Sequence, residues 1–148
     1  MGVRDDIARR RAKFVSAFNR EDLASIEQVC ADDIVMLPSN QPPIMGIRDA
    51  LQWWSTGFEA GRTTVSIEPR ELYVTDGWAM DWFDWSVTIV PVTGTIPILD
   101  SGSSFWVWRF RDGDGWRILR AMWKSNSDTP SLWAGGAADF LVDGSRLM

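Results

Sequence analysis

The chain has 148 residues, 45% of them hydrophobic and 24% charged, which suits one ordinary globular domain and excludes a disordered chain. Its 20 acids outnumber 15 bases for a net charge of −5, so the basic surface that nucleic acid or an anionic membrane requires is missing. With no histidine and one cysteine, Cys30, the sequence excludes histidine-dependent catalysis, histidine-ligated metals, a cysteine-ligated zinc site and internal disulfides together.

The first residues, 1–13, carry Arg and Asp in place of the apolar stretch of a signal peptide. No apolar run approaches the ~20 residues that span a bilayer. A cytoplasmic protein with no cofactor is the expectation. Ile7, Phe14 and Phe18 with their alanine neighbours predict a helix whose wet side holds Arg9, Arg10 and Arg11. Residues 19–22, Asn-Arg-Glu-Asp, break it, and Leu23, Ile26, Val29 and Cys30 predict a second, short helix. Residues 34–37 read as a strand, and residues 38–43, bounded by prolines, as a loop. Gly46 opens a third helix in which Ile47, Leu51, Trp54 and Phe58 share one face.

After Gly61 the hydrophobic period changes from helical to two. Strands are predicted over residues 63–74, 78–90, 96–111 and 116–126, separated by Asp76-Gly77, Thr93-Gly94 and the Asp-Gly-Asp-Gly of residues 112–115. Pro69 marks an edge or bulge, and Gly102 is expected at a bulge. Helices followed by an antiparallel meander make an α+β domain over residues 1–126. Residues 127–148 are expected as a tail covering a pocket or an interface.

Both faces of the predicted sheet carry apolar residues. Met80, Trp82, Asp84, Ser86 and Thr88 alternate with Asp81, Phe83, Trp85, Val87 and Ile89. Three helices cover one face only, so the other is expected to meet a second copy of the chain, with the tail as the competing cover.

The run of residues 14–26, with Ala31-Asp32-Asp33 before a strand, Gly46 before the third helix, and Val107-Trp108-Arg109 followed by Gly115-Trp116-Arg117-Ile118, resembles the SnoaL-like proteins. These belong to the nuclear-transport-factor-like, ketosteroid-isomerase-like superfamily. The resemblance spans about residues 5–126 and implies a cone-shaped α+β barrel, a curved antiparallel sheet wrapped around the three N-terminal helices. An apolar pocket at the wide end and a homodimer through the convex sheet face are also implied.

The superfamily's isomerase residues do not carry over. The helix-1 tyrosine would stand at Phe14, the carboxylate base at Leu37 or Pro38, and the protonated aspartate at Trp106. Cyclases and dehydratases of this type use histidine, and closer members carry Lys at Ser103 and Asp at Ala121. What the resemblance does imply is a lining that includes Trp53, Trp54, Trp82, Ala121 and Trp123. The stripe residues Phe14 and Phe18, together with Met36 and Trp106, complete the expected substrate-binding set.

Ten tryptophans among eighteen aromatics favour a hollow, since indoles tile a core poorly and their N–H groups require partners. Trp108 and Trp116 are expected as plain core. Asp84 is the candidate catalytic acid, because alternation sets it beside Trp82, where lost hydration would raise its pKa. Asp81 is expected on the dimer face, paired with Arg109 or Arg120. Three functions compete. The first is a binding module for an apolar, planar molecule of polyketide, terpenoid, steroid or aromatic type. The second is a SnoaL-like isomerase, cyclase or epoxide-opening hydrolase using Asp84 as acid or base. The third is a dimerisation domain with a filled cavity.

Overall fold

A computed structural model describes residues 2–94 and 96–127, and the expected tail over residues 127–148 lies outside them except for Ser127. Helix α1, Val3–Asn19, buries Ile7, Arg11, Phe14, Ala17 and Phe18 at helical spacing, and Asp5 and Asp6 in its first turn suit the positive end of the helix dipole. Its end is pinned by Asn19, whose side chain donates to Val65 O and accepts from Val65 N. Helix α2, Leu23–Val29, is capped by Asp22, which accepts from Ser25 N.

Strand β1, Cys30–Leu37, begins four residues before the predicted 34–37 and pairs with a two-residue strand, β2, Ile44–Met45, that the sequence did not announce. Gly46, at φ 90°, then turns the chain into α3, Ile47–Ala60. The long strands follow as β3 Gly61–Thr75, β4 Trp78–Pro91, β5 Ile98–Arg111 and β6 Gly115–Ser125. Thr75 pairs with Trp78 across Asp76-Gly77, a two-residue hairpin with Gly77 at φ 74°.

The six strands form one sheet in the order β2-β1-β6-β5-β4-β3. It is antiparallel except where β1 runs parallel to β6, so the predicted all-antiparallel sheet is in fact mixed. The connection from β1 to β6 runs through α3 and three hairpin-linked strands, which brings the first strand beside the last in the same direction. The sheet is curved and unclosed, and with the three helices it gives the cone-shaped α+β fold. Pro69 falls at a register shift between β3 and β4, as its missing N–H requires. Gly102 does not mark a bulge: it pairs in register with Trp85 and Ser125. It is glycine for want of room, since a Cβ there would lie 1.9 Å from Lys124 O and 2.6 Å from Trp85 Cζ2. The shift in this region lies instead between Val107 and Trp108, opposite Leu119.

The core sits between the helices and the inner sheet face, with Ile7, Phe14, Phe18, Trp54, Phe83, Trp106, Trp108 and Trp116 in one cluster. Trp108 and Trp116 are core, as predicted. Burial pushes the Cys30 thiol in this cluster up to about 12. Among the described residues no helix is long and apolar enough to cross a membrane.

Candidate functional site

The inner sheet face differs at its two ends. At one end Asp81, fully buried on β4, receives a bidentate Arg11 from α1, Nε and Nη2 each 2.9 Å from a carboxylate oxygen. Trp108 Nε1 donates to the same carboxylate at 3.1 Å. Two sequence expectations are corrected here. Arg11 lies on the buried side of α1 because it stands four residues after Ile7 and three before Phe14. Asp81 is on the inner face, while Arg109 and Arg120 donate to Gly77 O and Asp33 O.

Trp106 stands opposite Asp81 in the register and divides this packed end from the other. Phe14 and Phe83 meet its ring edge-on at centroid distances of 4.8 Å each. Beyond it the side chains leave a cavity of about 120 Å³. Helix α1 contributes Phe14, Val15 and Phe18 to its wall, and α3 contributes Trp53 and Trp54. Ile34 lies on β1, Val65 and Ile67 on β3, and Phe83, Trp85 and Val87 on β4. Ser104 and Trp106 come from β5, and Ile118, Ala121 and Trp123 from β6. Trp53 packs on Trp123 at 5.7 Å between ring centroids and gives its Nε1–H to Gln41 in the loop after β1.

One ionisable residue lines this space among those described, and it is Asp100 at the start of β5. Its Oδ1 accepts from Ser101 N at 2.8 Å and from Ser125 Oγ at 2.6 Å, whereas Oδ2 has no hydrogen-bond partner among the described residues. Ser39 ties the loop after β1 to the end of β6, donating to Trp123 O and accepting from Ser125 N. The Trp85 Nε1–H is buried without a partner among the described residues. Its indole lies against Gly102, where the missing side chain makes room for it.

Of the predicted lining, Phe14, Phe18, Trp53, Trp54, Trp106, Ala121 and Trp123 come together around the cavity. Met36 does not line it; the side chain is sealed in the core at 0% exposure. Trp82 lies on the outer sheet face, 38% exposed and stacked on Phe105 at 6.2 Å. Asp84 is on that outer face too, opposite Ser103, and the expectation of an acid among indoles is overturned. Arg70 Nε donates to it at 2.6 Å and Ser103 Oγ at 2.9 Å. These hydrogen bonds hold its carboxyl below the usual aspartate range, the opposite of the predicted direction. The inner residues of β4 are those of the alternate set, Ala79, Asp81, Phe83, Trp85, Val87 and Ile89.

Sequence reasoning missed Asp100 and Trp85, although a signal existed for the acid. Asp100 has the same strand parity as Gly102, Ser104, Trp106 and Trp108. Among the described residues there is no group of three or more Cys, Asp and Glu side chains able to hold a metal ion.

A SnoaL-like domain model matches residues 12–120. No curated protein matches the chain. Among solved structures, a hexachlorocyclohexane dehydrochlorinase (LinA Type2) superposes with a TM-score of 0.77 at 17% identity, over 89% of each chain. A nuclear transport factor 2 (NTF2-like) superfamily protein from Salmonella enterica serovar Typhimurium LT2 gives 0.76 at 16% identity, over 85% of this chain and 92% of its own. A ketosteroid isomerase-like protein from Erwinia carotovora atroseptica SCRI1043 gives 0.75 at 19% identity, over 82% and 94%. Identities this low carry the fold alone.

Proposed function

The chain belongs to the SnoaL-like domain family, and from that premise we propose that it binds a compact apolar molecule among the indoles of its inner face. The observation that carries the reading is the space beside Trp106, about 120 Å³ in volume and walled by five tryptophans and three phenylalanines. An engineered apolar cavity of about 150 Å³ accepts benzene, so this one suits a single ring in preference to a steroid or a fused polyketide. Flat aromatic walls favour a planar guest. The isomerase chemistry of the superfamily has no support in Phe14, Leu37, Pro38 or Trp106, which carry no ionisable group. Titration with benzene and toluene, followed by tryptophan fluorescence, is expected to give a saturable change. No response across a diverse panel of planar compounds removes the reading and leaves a filled dimerisation domain.

A second reading, an acid–base enzyme of the SnoaL-like type, is favoured by one observation: Asp100, not Asp84, faces the cavity with an uncommitted oxygen. In that case Asp100→Asn abolishes turnover while Asp84→Asn leaves it intact.

The partner reading concerns the outer face. Tyr73 and Met80, Trp82 and Phe105, and Phe105 and Met122 are register neighbours there, each between 38% and 61% exposed. An aromatic patch spread over four strands fits a second copy of this chain, packed sheet to sheet. Sedimentation equilibrium is expected to return twice the 16.7 kDa chain mass, and Trp82→Glu with Phe105→Glu to return the single mass. A wild-type chain that stays single at all concentrations contradicts it.

A further inference from the structure

Among the described residues the inner face holds two acids, and one of them has a countercharge built into the fold. Asp81 is neutralised by Arg11 and bonded by Trp108, which completes it as a structural unit. Asp100 has no ion pair among the described residues, and no Lys or Arg lines the cavity beside it. Its carboxylate is nevertheless held in place, because Ser101 N and Ser125 Oγ fix Oδ1 and leave Oδ2 as an open acceptor. A rigid, singly committed carboxylate at the edge of an aromatic well is complementary to a donor that carries positive charge.

Building on the apolar-ligand reading above, we propose that the guest is an organic ammonium: a one-ring apolar body in the well and a protonated amine on Asp100 Oδ2. The aromatic walls act in the same sense as the carboxylate, since ring faces attract cations. Asp100 is partly exposed, so the ammonium head keeps some of its water while the ring exchanges water for the aromatic walls. An anionic guest meets like charge at Asp100 and no base among the lining residues described. A neutral guest leaves Oδ2 without its donor, so it fills the well and gains nothing at the rim.

The test is isothermal titration calorimetry at pH 7 with benzylamine, benzyl alcohol and toluene, on the native chain and on Asp100→Asn. Benzylamine is expected to bind the native chain about 10- to 100-fold tighter than benzyl alcohol, the size of a charge-assisted hydrogen bond. Asp100→Asn is expected to remove that preference while toluene binding stays the same. Saturation with toluene is expected to displace the amine, which separates the cavity from general attraction to an acidic protein. Equal binding of amine and alcohol by the native chain overturns the ammonium proposal and leaves the apolar-ligand reading standing. So does an amine that toluene fails to displace. Failure of all three compounds to bind overturns both. The comparison on the native chain decides the matter even if Asp100→Asn does not fold.

Discussion

The two ends of the inner sheet face use similar residues to opposite effect. Each has an aspartate and indoles, yet Asp81 sits in solid packing between Arg11 and Trp108, while Asp100 borders a hollow. A buried charge is tolerated only with its partner in place, so the closed end is what a structural acid looks like. Among the described residues the open end lacks that partner. The difference separates an acid paired within the fold from one that keeps an oxygen open.

The largest expected effect breaks the closed end. Arg11→Met leaves the Asp81 carboxylate buried and unpaired and is expected to cost about 3–5 kcal/mol in urea denaturation. Adding Asp81→Leu to that variant is expected to recover most of the loss, because the orphaned charge goes with it. A loss under about 1 kcal/mol for Arg11→Met shows the pair to be idle.

Next comes the boundary of the open end. Gly102→Ala drives a Cβ into Lys124 O and the Trp85 ring and is expected to cost about 1–3 kcal/mol or more, measured in the same titration. Ala121→Leu sharpens the contrast from the other side. Placed in the hollow, the larger side chain is expected to cost less than about 1 kcal/mol and to suppress the toluene response. The 1–3 kcal/mol typical of overpacking indicates instead that no room exists.

The smallest effect is electrostatic. Asp22, Asp33 and Asp84 are each held below the ordinary aspartate range, by hydrogen bonds from Ser25, Arg111 and Arg70 respectively. A depressed folded-state value stabilises the fold above the unfolded value of about 3.9 and is lost as pH falls through the lower, folded one. Thermal melts from pH 7 down to pH 3 are therefore expected to fall at the acid end. Asp84→Asn flattens that fall slightly and leaves ligand binding unchanged. A lost ligand response in this variant contradicts its place on the outer face.

Much of this was legible in the sequence. Helical spacing and the Asp-Gly turns placed all three helices and the four long strands, and seven of the nine proposed lining residues do meet at the cavity. What alternation does not encode is which of two sets faces inward; that depends on cross-strand register, here Asp81 opposite Trp106 and Trp82 opposite Phe105. The inner set of β4 was the more apolar of the two, with Phe83, Trp85, Val87 and Ile89, while Asp84 shared its face with Ser86 and Thr88. Arg11 was hidden by its neighbours Arg9 and Arg10, although its spacing from Ile7 and Phe14 put it on the buried stripe. The parallel pairing of β1 with β6 is long-range and leaves no local mark in either strand.

The most direct measurement of the central claim is a crystal of this protein pressurised with xenon. A xenon atom is expected beside Trp106, within the wall formed by Phe14, Trp54 and Trp123. Interlocked indoles with no gas between them would contradict it.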